Sequence, residues 1–419
     1  MFKFDYQCIG KDAKMVNVAI LGFGVVGSGV AEVLTQNKTI IENKLNEEIN
    51  IKYILDLREF PGSPFAHLVI HDFNTILSDS EVSIVAEMMG GSHPAYDFTK
   101  AALEAGKSVV TSNKEVVANF GAELLEIARK NNVAYLFEAS VGGGIPIIRP
   151  MCNDLSSNNV TEISGILNGT TNYILTKMTQ EGIPFETVLK DAQDKGYAES
   201  NPSADVDGLD AARKIVILAA LAFGKSIAAD KIHVEGITEI STEDVELARG
   251  LGYAVKLIGH SKKTNGKILA MVSPRLIPFS NPLSGINDVY NGILLDGDMV
   301  GKVMFYGPGA GKLPTASAVC ADIVDVIAHR NGAVSLPQFT PATEEDVASF
   351  DEYTCQRLFI FEKCADCQVT NEKAEKIFGK IEKLELNGQR VAVITAQMSE
   401  ACAKDIASKL KGCKTYRLL

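Results

Sequence analysis

A glycine-rich turn between a predicted strand and a predicted helix could bind a dinucleotide. The pattern G-x-G-x-x-G follows directly after the β-branched run Val16 to Leu21. Glycines at this spacing permit a tight turn and let backbone N–H groups approach a pyrophosphate at the start of a helix. The alternative is a flavin-type turn or a turn that binds no nucleotide. The candidate contacts are Gly22, Phe23, Gly24, Val25, Val26 and Gly27.

An acidic and a basic residue follow the second predicted strand, where the ribose of such a cofactor would lie. Asp56 comes directly after the run Ile51 to Leu55, and Arg58 stands two residues later. The acid comes later than the usual offset of ~20 residues because the first helix is predicted to extend through Lys44. An acid here favours the ribose hydroxyls of NAD, and an arginine favours the 2′-phosphate of NADP. Both cofactors therefore remain open.

A second candidate site combines one lysine with several carboxylates. Asp210 and Lys214 stand four residues apart at the head of a largely apolar helix predicted from about Asp207 to Phe223. Glu199 and Asp205 precede them in the same acidic stretch. Carboxylates beside a lysine suit recognition of an ammonium group and of a hydroxyl whose proton must move. The alternative is a surface salt bridge worth a few tenths of a kcal/mol.

Two further segments carry weaker signals for ligand binding. Lys114 closes the predicted strand Ser108 to Thr111 at the carboxyl edge of a parallel sheet, where ligands bind in such folds. A solvated lysine that begins a helix is the alternative interpretation. The segment EASVGGGIP, residues 138–146, exposes successive carbonyl groups, and carbonyl oxygens bind hard cations.

The elements that must position these residues indicate an α/β protein. Strands and helices alternate along residues 1–150, which predicts a doubly wound parallel sheet, and the helix within 307–335 is expected to return to it. Residues 151–306 lose this alternation and are assigned to an α+β domain. After a linker near Pro337 to Glu345, residues 346–419 have the order β-α-β-β-α-β, which predicts a small ferredoxin-like regulatory or dimerisation module.

The composition excludes several classes of function. A formal net charge of -11 argues against nucleic acid or an anionic membrane as the main partner, so a small-molecule substrate is expected. No apolar run approaches the roughly 20 residues of a membrane-spanning helix. Without a recognisable targeting signal, the eight cysteines are expected to stay reduced in the cytoplasm. Cys364 and Cys367 form a lone C-x-x-C without a second pair, so a zinc site is not favoured.

Taken together, seven segments resemble the homoserine dehydrogenase family. In order they are GFGVVGSG, VVTSNKEVVA, FEASVGGGIPII, LNGTTNYIL, GYAESNPSADVDGLDAARK, GITEIS and GPGAGKLPTASAV, and they cover about residues 16 to 335. The resemblance implies a Rossmann-type nucleotide domain, a catalytic and dimerisation domain, and a homodimer or homotetramer. It also implies interconversion of L-homoserine and L-aspartate 4-semialdehyde with NAD or NADP, in threonine, methionine and isoleucine biosynthesis.

The same resemblance implies roles for individual residues of the second candidate site. Lys214 is similar to the catalytic lysine that donates a proton to the substrate oxygen as hydride arrives. Asp210 resembles the partner of the substrate hydroxyl, and Glu199 resembles the group that holds the amino end, with Asp205 in the same substrate site. Lys114 resembles a second lysine between cofactor and substrate.

Further residues match the family's cofactor and cation positions. Gly196 and Gly309 resemble nucleotide contacts. A sodium site built mainly from backbone carbonyls is implied at Glu138, Val141, Gly143 and Ile145.

The C-terminal segment departs from the longer members of the family, which carry an ACT domain. The strand order agrees, but KCADCQVTN, residues 363–371, stands where such domains have a glycine-containing turn that binds an amino acid. Control by threonine is therefore not expected.

Two other functions are weighed against this one. A regulatory protein on a Rossmann scaffold would need the nucleotide turn but not the acid-lysine cluster. A dehydrogenase of the aspartate-semialdehyde type would need a nucleophilic cysteine, and Cys152 has no histidine nearby in the sequence.

Overall fold

The computed structural model describes residues 15–329, 336–362, 370–387, 390–410 and 412–419. Within these ranges the chain forms two compact units. The first unit contains the chain up to Asn159 together with Val216–Ala229 and Phe305–Pro341. The second unit contains Val160–Ile215, Asp230–Met304 and Ala342–Leu419.

Strands and helices alternate in the chain up to Asn159. The strands are β1 (Met15–Leu21), β2 (Glu48–Leu55), β3 (Val69–Ile70), β4 (Val82–Glu87), β5 (Ser108–Thr111) and β6 (Tyr135–Leu136). The helices are α1 (Val25–Gln36), α2 (Lys38–Leu45), α3 (Phe73–Ser78), α4 (Ala95–Glu104) and α5 (Lys114–Lys130).

These strands form one parallel sheet in the order β3-β2-β1-β4-β5-β6. β1, β4 and β5 are almost wholly buried, which explains their nearly continuous apolar runs. The order reverses at β1, and ligands of doubly wound sheets bind outside the carboxyl ends of the strands at such a reversal. The Rossmann-type sheet predicted from the sequence is confirmed.

Three predicted boundaries in this part of the chain are wrong. The first helix does not continue through Lys44 but breaks at Asn37 into α1 and α2. The sequence predicts a helix from Gly121 to Asn131, but α5 begins at Lys114, because the Asn113 side chain accepts the first N–H groups of the helix. The sequence also predicts a strand from Val133 to Phe137, but β6 is shorter, since only two of its residues pair with β5.

From Val160 onward the strands lie closer together in sequence. They are β7 (Val160–Ile166), β8 (Lys225–Ser226), β9 (His233–Val234), β10 (Tyr253–Thr264), β11 (Lys267–Pro278), β12 (Tyr290–Gly297), β13 (Gly301–Pro308), β14 (Thr340–Pro341), β15 (Thr354–Cys355), β16 (Arg357–Glu362), β17 (Ile381–Asn387), β18 (Arg390–Thr395), β19 (Met398–Ser399) and β20 (Lys414–Leu418). The helices are α6 (Gly169–Glu181), α7 (Phe185–Asp194), α8 (Ser203–Val206), α9 (Leu209–Phe223), α10 (Thr242–Gly250), α11 (Lys312–Ala328), α12 (Asn371–Phe378) and α13 (Glu400–Lys409).

A mixed sheet in the order β13-β12-β7-β10-β11-β20-β16-β18-β17 organises this part of the chain. Its longest pair is the antiparallel hairpin β10-β11, which turns at Asn265 and Gly266. Both residues have positive φ, of 53° and 80°, as the tight turn of such a hairpin requires. The short strand β9 pairs with β11 outside this order.

The helix that carries Asp210 and Lys214 begins later than predicted. α9 starts at Leu209 instead of Asp207, and the single turn α8 precedes it. Gly208 separates the two helices with a φ of +86°, a conformation that side-chain-bearing residues rarely adopt. The break allows Asp210 to occupy the first turn of a new helix.

The C-terminal segment has the predicted order β-α-β-β-α-β, formed by β16, α12, β17, β18, α13 and β20. The sequence predicts its first helix from Glu372 to Lys383, but α12 ends at Phe378, because Gly379 leaves the helix with a φ of +73°, and β17 begins at Ile381. β20 pairs with β11 through Arg275↔Arg417 and Leu276↔Leu418. The C-terminal strands therefore continue the sheet of the second unit, and β20 covers the edge of β11.

A row of buried arginines crosses this junction on neighbouring strands. Arg275 lies opposite Arg417, and Arg417 lies opposite Arg357. The Glu400 carboxylate contacts Arg357 and accepts a 2.7 Å hydrogen bond from Arg417 Nε. The Arg417 guanidinium also donates to both carboxylate oxygens of Glu235, at 2.6 and 2.7 Å. Adjacent like charges repel, and these carboxylates offset the repulsion for Arg357 and Arg417, while Arg275 donates to the Tyr353 hydroxyl at 2.9 Å.

Replacement of Glu400 by glutamine should therefore destabilise the second unit strongly. The variant leaves two buried guanidinium groups without their shared anion, which should cost roughly 3–5 kcal/mol in the free energy of unfolding. Urea denaturation measures the change. The matched control is Glu372→Gln, because Glu372 and Lys376 form an exposed ion pair one helical turn apart and should contribute little. Equal stability of the two variants would contradict this account of the junction.

Candidate functional site

The glycine turn lies between β1 and α1 at the strand-order reversal, as predicted. Gly22 has a φ of +85°, and a Cβ on Gly27 would lie 2.0 Å from the Gly22 carbonyl oxygen. These two glycines are therefore required by the packing of α1 against the turn. A Cβ on Gly24 would meet only the end of Arg58, at 4.0 Å. The protein fold does not demand a glycine at position 24, but a close-lying phosphate would.

Asp56 and Arg58 are brought together beside this turn. The Asp56 carboxylate accepts the Phe23 N–H at 2.7 Å and a forked pair of bonds from the Arg58 guanidinium at 3.0 and 2.9 Å. The hydrogen bonds from Arg58, together with the backbone bond from Phe23, hold the pKa of Asp56 well below its usual range. The Asp56 carboxylate and the Arg58 guanidinium thus form an ion pair beside the glycine turn.

Two clefts border Arg58 in the first unit. One, of about 520 Å³, lies at the carboxyl ends of β1, β2 and β4 and is lined mainly by apolar atoms of residues such as Leu55, Met88 and Phe98. The other, of about 880 Å³, follows the exposed face of α1 toward Lys312. The smaller cleft has the apolar walls that an adenine ring requires, and both open onto Gly24.

A buried carboxyl group at the end of β4 was missed by the sequence analysis. Glu87 is wholly buried, accepts the Thr111 hydroxyl and the Met89 N–H, both at 2.6 Å, and lies near the Asn113 amide. Burial raises the pKa of Glu87 to about 7. Asn113 caps α5, so this network anchors the helix on which half-buried Lys114 is the first residue. An acid ending an otherwise apolar strand was the only available signal.

The Glu138 carboxylate anchors the loop of the candidate cation site by accepting hydrogen bonds from the backbone. The Glu138 side chain accepts N–H groups of Ile147, Ile148 and Arg149 at 2.7 to 2.8 Å, so both of its oxygens are engaged by the backbone. Asp322 accepts the Glu138 N–H at 2.9 Å and pairs with Arg149 at 2.6 Å. Burial raises the pKa of Asp322 to about 8.

Backbone carbonyls remain as the possible cation ligands of this loop. Among the described residues, no hydrogen bond is found to the carbonyl oxygens of Val141, Gly143 or Ile145. Gly143 has a φ of +56°, and a Cβ there would lie 2.5 Å from the Gly309 carbonyl oxygen. The structure thus places Gly309 against this loop, in contact with Gly143.

Lys214 and Asp210 form the centre of the site in the second unit. Both are buried, with 8% and 4% of the residue surface exposed. The Lys214 ammonium donates to Asp210 Oδ2 at 2.7 Å and to the Leu167 carbonyl oxygen at 2.8 Å. The interpretation as a surface salt bridge is therefore wrong, because the pair is shielded from water and its partner carbonyl comes from the end of β7.

Asn168, which the sequence analysis did not assign, joins Asp205 to this pair. Its amide nitrogen donates to Asp205 Oδ1 at 2.6 Å and to Asp210 Oδ2 at 2.9 Å. Glu199 is exposed and lies outside this cluster of hydrogen bonds. Gly196 is exposed as well and adopts a φ of +73°.

Cys152 is a poor candidate for a nucleophile. Burial raises the pKa of its thiol to about 12, so the reactive thiolate is scarce near neutral pH. Within the described ranges, no three His, Cys, Asp or Glu side chains cluster in a way that could hold a metal ion. Cys364 and Cys367 lie outside those ranges. Nor does any described helix have the length and apolarity to cross a membrane.

Two protein-family models match the segments that contain the candidate site residues. Residues 22–138 match the model described as homoserine dehydrogenase, NAD binding domain, and residues 146–324 match the homoserine dehydrogenase model. The homoserine dehydrogenase of Bacillus subtilis is 38% identical over 411 residues, which is 95% of each chain. That of Lactococcus lactis is 43% identical over 317 residues, 74% of each chain.

Solved structures with the same fold support this assignment. A homoserine dehydrogenase from Thiobacillus denitrificans superimposes with a TM-score of 0.88 at 31% identity, covering 97% of this chain and 99% of that one. The Staphylococcus aureus enzyme gives a TM-score of 0.80 at 35% identity with the same coverage. A hyperthermophilic archaeal homoserine dehydrogenase in complex with NADPH gives 0.66 at 29% identity, over 77% of this chain and 99% of that one. The chain therefore belongs to the homoserine dehydrogenase family and is an oxidoreductase with an NAD-binding domain.

Proposed function

We propose that this enzyme interconverts L-homoserine and L-aspartate 4-semialdehyde by hydride transfer, as a step in threonine, methionine and isoleucine biosynthesis. The observation that carries the proposal is the buried Lys214 ammonium, held between a carboxylate and a carbonyl oxygen. A dinucleotide-binding regulatory protein would have no need to bury such a pair. Burying these two charges costs free energy of desolvation. A catalytic role for the ammonium explains why the pair is nevertheless buried.

The chemistry requires one proton for each hydride. A nicotinamide cofactor held by the glycine turn would supply the hydride that the aldehyde carbon gains, or would take up the hydride that the alcohol carbon loses. In the reducing direction Lys214 donates a proton to the aldehyde oxygen as negative charge develops there, and in the oxidising direction it accepts the hydroxyl proton. Asp210 is hydrogen-bonded to the same ammonium and orients Lys214. Its carboxylate also accepts a hydrogen bond from the substrate hydroxyl.

The remaining candidate residues bind the two ligands. Glu199 and Asp205 attract the amino group of the substrate, and Lys114 lies between substrate and cofactor. Backbone N–H groups of the glycine turn bind the pyrophosphate, and Asp56 and Arg58 contact the ribose of NAD or NADP. Gly196 and Gly309 supply further backbone contacts to the nucleotide.

A sodium ion fits the loop from Glu138 to Ile145. The Glu138 carboxylate is engaged by three N–H groups, so Glu138 would contribute its backbone carbonyl, alongside those of Val141, Gly143 and Ile145. Such an oxygen-rich set suits a hard cation. Bound there, the ion would brace the loop against Gly309.

The enzyme assembles as a homodimer or homotetramer in the cytoplasm. Strands β12 and β13 and the turn between them expose apolar side chains that a second copy can cover, among them Tyr290, Met299, Val300 and Met304. β13 is an edge strand, and an uncovered apolar edge favours pairing with another chain. The C-terminal segment is an ACT-like module that serves packing or dimerisation.

The role of Lys214 predicts that Lys214→Ala lowers kcat by roughly 100-fold or more, the usual scale for general acid catalysis. Cofactor affinity should barely change. Steady-state rates of homoserine-dependent NAD and NADP reduction measure the effect. Lys190→Ala, which removes an exposed ion pair with Asp194, is the control and should retain full turnover. Near wild-type turnover in Lys214→Ala would refute the assignment.

The nucleotide turn predicts that Gly24→Val abolishes cofactor binding while the fold survives. Valine fills the space that the phosphates need, yet its Cβ meets no protein atom closer than 4.0 Å. Calorimetric titration with NAD and NADP tests the binding. Gly250→Val is the control, because a Cβ there also meets open space, in the other unit. Unchanged affinity in a folded Gly24→Val variant would place the nucleotide elsewhere.

The residues of the C-terminal segment predict that threonine does not regulate the enzyme. Bulkier residues in place of a glycine-containing turn leave the charged ends of an amino acid without matched donors. Threonine titrated against the full-length enzyme should change neither the rate nor the heat signal. Truncation after Thr340 should lower stability or alter the oligomer more than it lowers kcat, since it uncovers β11. Saturable inhibition that truncation removes would contradict this prediction.

A further inference from the structure

Asn168 connects the start of α6 to two carboxylates of the candidate site. The residue is buried, with 5% of its surface exposed. Its Nδ2 donates to Asp205 Oδ1 at 2.6 Å and to Asp210 Oδ2 at 2.9 Å. Its Oδ1 accepts the Thr171 N–H at 2.8 Å and the Thr171 hydroxyl at 3.1 Å. The amide oxygen thus caps α6, and the amide nitrogen joins the two carboxylates.

The helix cap determines which way this amide points. A backbone N–H requires an acceptor, so the oxygen of Asn168 must face Thr171. The nitrogen then faces the carboxylates, which need donors. α6 itself is anchored further along, where the Asn172 amide donates to the Asp288 carbonyl at 3.0 Å and accepts from buried Lys256 at 3.0 Å. The donors of Asn168 are therefore aimed by a rigid element.

The two carboxylates come from separate helices and would otherwise repel one another. Asp205 lies on α8 and Asp210 on α9, and a single nitrogen joins them. A donor shared by two carboxylates favours their ionised forms and limits their separation. Asp210 Oδ2 also accepts from Lys214, so a continuous chain of hydrogen bonds runs from the Leu167 carbonyl through Lys214, Asp210 and Asn168 to Asp205.

We propose that Asn168 is a positioning residue, which sets the spacing of Asp205 and Asp210 and thereby aims the Lys214 ammonium at the substrate oxygen. This inference rests on the proposed function of Lys214. Asparagine suits the position because the cap needs an acceptor and the carboxylates need donors on the same short side chain. Aspartate would preserve the cap but bring a third carboxylate, and serine would preserve the cap without reaching either acid.

The experiment separates the two purposes of the amide. Asn168→Ser and Asn168→Asp retain a good helix N-cap, so both variants should unfold near the wild-type temperature. Thr171→Val is the control: it removes a hydroxyl on the cap side and leaves the donors of Asn168 in place. Full-length variants are compared by kcat, KM for homoserine, thermal unfolding and the pH profile of kcat/KM.

Loss of the shared donor should reduce kcat/KM by roughly 10- to 100-fold in Asn168→Ser, the scale of a misplaced catalytic group. The loss should be larger in Asn168→Asp. The groups facing the amide are Asp205, Asp210 and, through Asp210, Lys214. Without the donor the carboxylates protonate more readily, so the acid limb of the profile should move to higher pH. Thr171→Val should keep the wild-type profile.

A wild-type kcat/KM and pH profile in Asn168→Ser would overturn the inference, as would an equal loss in Thr171→Val. These outcomes differ from failure of the proposed function, which Lys214→Ala reports separately. An inactive Lys214→Ala enzyme beside a fully active Asn168→Ser enzyme would leave the proposed function standing and remove only the role of Asn168.

Discussion

The buried ammonium of Lys214 is the constraint on which the architecture of the second unit depends. A charge removed from water is tolerated only where it is paired and hydrogen-bonded. The pairing group is Asp210, one helical turn earlier, and the further acceptor is the carbonyl at the end of β7. The break at Gly208 places Asp210 in the first turn of α9, where a negative charge is favoured by the helix dipole. The end of β7 and the start of α9 must therefore meet.

The first unit differs, because backbone groups make up the centre of its candidate nucleotide and cation sites. A turn that offers N–H groups to a phosphate has to bring α1 against β1 more closely than any side chain allows, hence Gly22 and Gly27. The loop from Glu138 to Ile145 offers carbonyl oxygens in the same way, and the Glu138 carboxylate holds its far end by capping three N–H groups. The groups offered to a ligand thus differ between the units. The first offers mainly oriented peptide dipoles, and the second offers a lysine among carboxylates.

The C-terminal segment is built into the second unit through its last strand. Because β20 lies between β11 and β16, the longer strands of the segment extend an existing sheet, and the short strands β15 and β19 pair apart from it. The price is a row of three arginines across adjacent strands, of which Arg357 and Arg417 are compensated by Glu400 and Glu235. A segment attached by strand pairing and buried ion pairs is suited to a packing role.

The sequence by itself determined the elements and the residue types of both sites. Local signals suffice for a strand that leads through glycines into a helix, for the order of the C-terminal elements, and for the proximity of Asp210 to Lys214 on one helix face. Tertiary structure alone decided the partners that lie far away in the chain. Asn168 is 42 residues from Asp210 in the sequence, and β20 pairs with β11 although more than a hundred residues separate them. The Glu138 carboxylate accepts N–H groups 9 to 11 residues later in the chain, a cap that no local pattern indicated. Local patterns report the conformation of a few neighbouring residues, but a buried polar group takes its partner from whichever segment the packing brings within hydrogen-bond distance.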